Sequence, residues 1–228
     1  MGVNYNSKIV TDGLVLCLDA ANRKSYPGSG STWADLVSSN VGTLTNGPTF
    51  DTGNSGSIVF DGINDFVNVA SQSITTNTSF TVCCSVYFTN WNDNSFKPLV
   101  DAGNLGSGTT SWTLSKNNIN ELFVSVNGGF ISLNPNISNN TWYHIAATAT
   151  AGTPYVLRLY VNGFARTPTS TSNSNSLTVA TQPVRIFASS FSAIYTAGRV
   201  SNVQIYNRAL SASEIQQNFN ALRGRYGI

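Results

Sequence analysis

Side chains able to make or break bonds are scarce in this chain of 228 residues, and their spacing narrows what they could do. Cleaving a glycosidic bond needs two carboxyl groups that face it at a fixed separation. Only two glutamates are present, Glu121 and Glu214, and neither has an acidic neighbour. The one close acidic pair, Asp61 and Asp65, brackets Gly62-Ile63-Asn64. That run reads as a turn, since Gly supplies positive φ while Asn and Asp fold back on the local backbone. Sugar cleavage is therefore disfavoured. His144 is the sole histidine, which removes most metal and triad schemes, and a structural place in a strand suits it best. Asp61, Asn64 and Asp65 are also the best local cluster of hard oxygens, with Asp101 a distant candidate. Calcium takes six to eight such ligands, and this spacing completes no set. Trp33, Trp91, Trp112, Tyr26 and Tyr195 fall in or near expected loops. A sugar ring has apolar faces and a polar rim, so these aromatics are the glycan-binding candidates, although each also suits packing. No phosphate-binding glycine loop and no Cys-x-x-Cys pair is present.

The elements that must carry these residues are strands. Ile58 and Phe60 share one face of their segment, Val67 and Val69 share one face of the next, and the Gly62–Asp65 turn joins the two as a hairpin. Phe80, Val82, Cys84, Val86 and Phe88 alternate with polar Thr81, Ser85 and Thr89, which predicts one buried face and one wet face. Tyr155, Leu157, Leu159 and Val161 repeat the pattern. Twelve strands are expected, at 14–19, 57–61, 66–69, 79–89, 98–101, 111–115, 122–126, 130–133, 142–148, 155–162, 184–188 and 199–207. Separated by Gly, Asn, Pro and Ser, they predict an all-β, two-sheet antiparallel jelly roll. One helix is expected at about 211–223. Ser211 and Glu214 form a capping box, Leu210 and Ile215 a hydrophobic staple, and Ile215, Phe219 and Leu222 an apolar stripe before Gly224.

Length suits one domain over 1–228, since all-β sandwiches often run to ~200–250 residues as a unit. The run 167–178 (TPTSTSNSNSLT) reads as a long loop of that sandwich. Charged residues make up 10% of the chain, against ~25% in ordinary soluble domains, so Ser, Thr and Asn must provide solubility. Lys and Glu lose the most rotamer entropy when fixed, so a surface poor in them suits packing among copies or partners. A net charge of +2 without a basic stripe argues against nucleic acid. Three cysteines, Cys17, Cys83 and Cys84, cannot close a disulfide framework and read as buried thiols. The N-terminal residues lack the pattern of a secretory signal, the Gly2–Asn6 run lacks that of a myristoylation site, and no stretch has the length of a membrane span. Sequons at Asn77, Asn136 and Asn139 are expected by chance in so Asn- and Ser-rich a chain.

Three stretches, 57–69 (SIVFDGINDFVNV), 142–163 (WYHIAATAT…YVLRLYVNG) and 198–215 (GRVSNVQIYNRALSASEI), resemble the concanavalin A-like, laminin G-like jelly-roll family in order and spacing. The resemblance implies the same sandwich, a histidine at the place of His144, and the Tyr206-to-Ile215 ending. Some members of the family bind calcium through Asp, Asn and carbonyls at a sheet rim, which again points to Asp61, Asn64 and Asp65. Asn202 stands where many members carry Asp, against a complete set. Glycosidases of this fold carry Glu-x-Asp-x-x-Glu on one strand, which this chain lacks. LDAAN at 18–22, SYPGSG at 25–30, WADL at 33–36 and GTLTNGP at 42–48 resemble the version found in structural proteins of tailed bacteriophages, notably cyanophage-like ones. That likeness implies a non-enzymatic virion protein, a capsid decoration, head fibre or tail-associated part. It would be made in the host cytoplasm and displayed on the virion surface. Its partners would be other virion proteins and its own copies, with host-surface carbohydrate a further candidate and no membrane insertion. It requires no cofactor, and calcium stays open. The alternatives are a secreted carbohydrate-binding module and a glycoside hydrolase or lyase of the same fold.

Overall fold

A computed structural model describes residues 8–72, 79–103, 112–172, 182–190 and 192–228. The Gly2–Asn6 run, the sequon at Asn77 and residues 173–178 of the long loop lie outside them. The strands are β1 (Leu14–Asp19), β2 (Thr32–Ala34), β3 (Val41–Thr45), β4 (Thr49–Asp51), β5 (Ser57–Asp61) and β6 (Phe66–Gln72). Then come β7 (Phe80–Phe88), β8 (Lys97–Ala102), β9 (Trp112–Lys116), β10 (Leu122–Val126), β11 (Gly129–Leu133) and β12 (Thr141–Thr150). The series closes with β13 (Val156–Val161), β14 (Phe164–Arg166), β15 (Ser170–Ser172), β16 (Gln182–Ile186), β17 (Ala197–Tyr206) and the helix α1 (Ala212–Leu222).

Two antiparallel sheets form a sandwich. One runs β14-β13-β12-β7-β17-β5-β4 with β1 also on β17; the other runs β15-β11-β10-β9-β8-β16-β6-β3-β2. The expected inward residues of β7 all lie in the core between them, with Leu157, Leu159 and Val161 of β13 and Ile145 of β12. Each such side chain contributes roughly 1.5–3 kcal/mol when fully buried. The expected fold class is the observed one. Cys84 faces this core, whereas Cys83 faces the opposite layer, as alternation requires.

The expected wet face of β7 is wet only at its end, where Thr89 is exposed. Thr81, Cys83 and Ser85 are fully buried, because α1 lies across that side of the sheet. Cys83 packs with Val10, Ala146, Tyr160, Tyr206, Leu210 and Ile215 in a second apolar layer. Polar pins fix the helix. Thr81 Oγ1 donates to Arg208 O and accepts from the Leu210 N–H, both at 2.8 Å, and Asn218 Oδ1 accepts the Val10 N–H at 2.8 Å. The capping box at Ser211 and Glu214 is formed, and Leu210 shares its layer with Ile215. The helix ends at Leu222, one residue short of expectation, and Gly224 falls inside a 3-10 turn, Arg223–Arg225.

Candidate functional site

The expected hairpin is a corner instead: β5 pairs with β4 and β17, β6 with β3 and β16, so the Gly62–Asp65 turn carries the chain from one sheet to the other, and its acids hold it together. Gly62 has φ +77°, and a Cβ there would meet the Ala197 Cβ at 2.7 Å, so both conformation and space call for glycine. Asp61 Oδ1 accepts the N–H groups of Ile63 at 2.7 Å and Asn64 at 3.4 Å, while Asp65 Oδ2 accepts the Asp61 N–H at 3.2 Å. The Asn46 amide donates to Asn64 O at 2.8 Å, which ties the turn to the β3–β4 loop. Backbone donors, Ile63 first, hold the Asp61 carboxyl below its ordinary range. Burial pushes that of Asp65 up, and the Asp61 charge adds to the effect. Asp101 belongs to β8, in the sheet of β6 and beyond β16 from it. Among the described residues no three His, Cys, Asp or Glu side chains converge as metal ligands, and Asp61, Asn64 and Asp65 come together in the turn just described.

The tryptophans offer no platform. Trp33, Trp91 and Trp112 are all 2% exposed or less. Trp91 sits edge-on to Phe88 at 4.7 Å and donates its indole N–H to Asn120 O at 3.1 Å, and Trp112 packs 5.4 Å from Phe80. These rings plug the sandwich, where a large apolar body is worth more inside than on the rim. Tyr26 is buried as well. Tyr195 alone of the expected sugar-facing aromatics is half-buried, 6.3 Å from Phe66.

All ten acids are engaged. Asp12 and Glu214 pair with Arg208, Asp19 with Arg225, Asp51 with Arg199, and Asp93 with both Lys97 and Lys116. Asp35 accepts the N–H groups of Cys17 and Val37. Glu121 accepts hydroxyls from Ser132 at 2.6 Å and Thr169 at 2.7 Å; burial alone would raise its carboxyl, but these bonds bring it below the ordinary range. Asp101 is fully buried, and burial pushes its carboxyl up to about 6. Its Oδ2 accepts the Ser190 N–H at 3.0 Å. His144 is buried beneath α1, 6.0 Å from Phe219, and neither ring nitrogen has a hydrogen-bond partner among the described residues. Burial holds its imidazole down at about 4, neutral at pH 7 and without a contact through which to move a proton. Sequence reasoning missed the Lys116 knot, in which a fully buried lysine bonds Asp93 and Ser95 O. The i, i+4 pair Asp93 and Lys97 beside Trp91 was its only signal.

A fold this closely matched to one sequence profile can be placed. The profile of the concanavalin A-like lectin/glucanases superfamily matches residues 61–216. The chain belongs to that superfamily. Its solved relatives by shape include the receptor-binding domain of botulinum neurotoxin C/D mosaic serotype, at TM-score 0.67 and 11% identity over 91% of this chain and 51% of that one. Another is Trypanosoma rangeli sialidase, at TM-score 0.61 and 20% identity over 95% of this chain and 33% of that one. The same sialidase bound to sialic acid aligns at TM-score 0.60 and 22% identity, over 95% and 34%. The chain thus spans about half of the toxin domain and a third of the sialidase, and at these identities the likeness is one of fold. No curated protein matches by sequence. Binding domains and enzymes both use this superfamily's sandwich, so activity has to be argued from the side chains.

Proposed function

We propose that the protein is a non-enzymatic packing and adhesion module of a bacteriophage particle, as a capsid decoration, head fibre or tail-associated part. One observation carries the non-enzymatic reading. Every carboxylate is engaged in a turn, a cap, an ion pair or a buried bond, and no two stand free across a cleft. General acid catalysis of sugar cleavage needs a raised carboxyl opposite a second, ionised one. Asp65 and Asp101 both have raised carboxyls, but both are buried, and each accepts a backbone N–H, from Asp61 and Ser190.

The particle setting is supported by the phage-like N-terminal motifs, the low charge and the thiols. Cys17, Cys83 and Cys84 are free and buried. Burial raises all three thiols, those of Cys17 and Cys83 to about 12, so they are inert and suit a chain folded where thiols stay reduced. A secreted glycan-binding module is the second reading, favoured by the fold shared with a toxin's receptor-binding domain. Quantitative mass spectrometry of purified virions from the encoding phage tests the first. The protein is expected at a fixed copy number per particle. Absence from particles, with sugar affinity in the free monomer, would favour the module. Polysaccharide turnover abolished by Asp61→Asn or Asp101→Asn would favour a hydrolase or lyase.

A further inference from the structure

A pocket of about 180 Å³ opens between the loop after β1 and the β4–β5 connection. It is smaller than the ~300–1,000 Å³ of sites for drug-sized ligands, and its size suits one small ring. Ala20 and Ala21 keep its floor low, Phe50 and Tyr26 form an apolar wall, and Arg23, Thr52 and Ser55 bring polar groups to it. The two rings lie 5.3 Å apart at 47°, and Phe50 keeps part of its surface open.

The charge at this pocket is one-sided. No acid lines it. The nearest acids in sequence are committed elsewhere: both oxygens of Asp19 accept from Arg225, and Asp51 bonds Arg199 and the Gly53 N–H, each at 2.6 Å. Arg23 donates Nη1 to Pro27 O at 3.3 Å and forms no ion pair among the described residues. Its remaining donors form a planar fork of the kind that grips a carboxylate through two bonds.

The walls are also fixed before any ligand arrives. Gly56 has φ +130°, and a Cβ there would meet Ala20 O at 2.8 Å and the Phe50 ring at 3.0 Å. Glycine thus lets the two rims approach. Asn54 and Ser55 hold left-handed backbone at φ +53° and +71°, which is costly for residues with a Cβ. Asn54 is clamped at both ends, Nδ2 donating to Arg225 O at 3.0 Å and Oδ1 accepting from Trp142 Nε1 at 3.1 Å. Tyr26 is held by its hydroxyl bond to Gly30 O at 2.8 Å. Strained backbone locked around a concave aromatic wall is the signature of a preorganised site.

We propose that this pocket binds one carboxylated sugar residue, a hexuronate or similar acidic pyranose, with its apolar face on Phe50 and its carboxylate on Arg23. The hydroxyls of Thr52 and Ser55 meet the polar rim of the ring. This inference rests on the adhesion reading and names the glycan class it would grip.

Amide NMR titration of the full chain tests it, with sodium glucuronate as probe and glucose and acetate as its two halves. Glucuronate is expected to shift residues 20–28 and 50–56 saturably, and each half to bind about tenfold more weakly or less, as loss of one charge-assisted or one stacking contact implies. Arg23→Gln, on an exposed side chain, should bring glucuronate down to the level of glucose. Saturable shifts elsewhere, none at all, an unaffected Arg23→Gln, or acetate as tight as glucuronate would overturn the proposal. Failure here with the protein present in purified virions overturns the pocket and leaves the particle reading standing. Glucuronate binding by a protein absent from virions does the reverse.

Discussion

His144 and Asp101 are buried ionisable groups whose protonation is out of step with solvent in opposite senses. His144 is held at about 4 against an ordinary 6.5, so between those pH values the unfolded chain takes a proton that the folded chain refuses. Stability is then full above pH 6.5 and falls as the pH drops toward 4, by about 3 kcal/mol at ~1.36 kcal/mol per pH unit. Asp101 sits at about 6 against an ordinary 3.8, so in its window the folded chain holds a proton the unfolded one releases. Its burial costs stability above pH 6, and about 3 kcal/mol returns as the pH falls toward 4. The two slopes nearly cancel between pH 6 and 4. Urea unfolding across that range should show His144→Phe gaining stability on acidification and Asp101→Asn, which keeps the Ser190 contact, losing it. Equal slopes in both variants and the parent would refute the burial account. The place of His144 in a strand was legible from the sequence, but the sealing of both residues was not. Nothing local to Trp33, Trp91 or Trp112 told rim from core either, because the residues that bury them come from distant segments.

At the scale of elements, alternation made twelve strands legible to within three residues at either end, and the capping box did the same for α1. The five unexpected strands, β2, β3, β4, β14 and β15, are short and lie toward the sheet ends, and β14 and β15 are exposed at every position, so no apolar period marks them. Thr81 and Ser85 of β7, read as wet, are buried for a different reason, since the helix that covers them arrives more than a hundred residues later. That helix hangs on its cap. Ser211 Oγ accepts the Glu214 N–H, and Glu214 returns to the Ser211 N–H at 2.8 Å while pairing with Arg208 at 2.6 Å. Ser211→Ala should cost about 1 kcal/mol in chemical denaturation. The loss should also appear as faster amide exchange over 212–222, with the sheets unchanged. Gly198 is a harder constraint. It sits at φ +147° on β17, and a Cβ would lie 2.5 Å from Tyr87 O on the neighbouring strand. Backbone cannot yield as a side-chain tip can, so Gly198→Ala should lose about 3 kcal/mol or more by urea unfolding. A loss under about 1 kcal/mol would mean that β17 and β7 can part more easily than their register implies.

For the molecule as a whole, twelve basic and ten acidic residues leave little charge to spend on a partner, and all the acids are tied up internally. Long-range electrostatic steering is correspondingly weak, and short polar side chains give shallow contact energies. A pocket of about 180 Å³ lined by one guanidinium, that of Arg23, would hold a sugar residue only loosely. Adhesion by such a surface has to come from number. Displayed on one particle, as proposed, copies would rebind before the particle diffuses away, which raises avidity by ~10²–10⁴ over a single site with no new contact. The free protein flowed over an immobilised polyglucuronate surface is therefore expected to bind with a Kd near ~1 mM, about −4 kcal/mol. Beads carrying many copies should be retained at least ~100-fold more tightly, and beads carrying Arg23→Gln should wash off. Beads that release as fast as the free protein would remove the multivalent mechanism even if the pocket itself binds glucuronate. Tight binding by the monomer would point instead to a dedicated lectin, for which copy number is unnecessary.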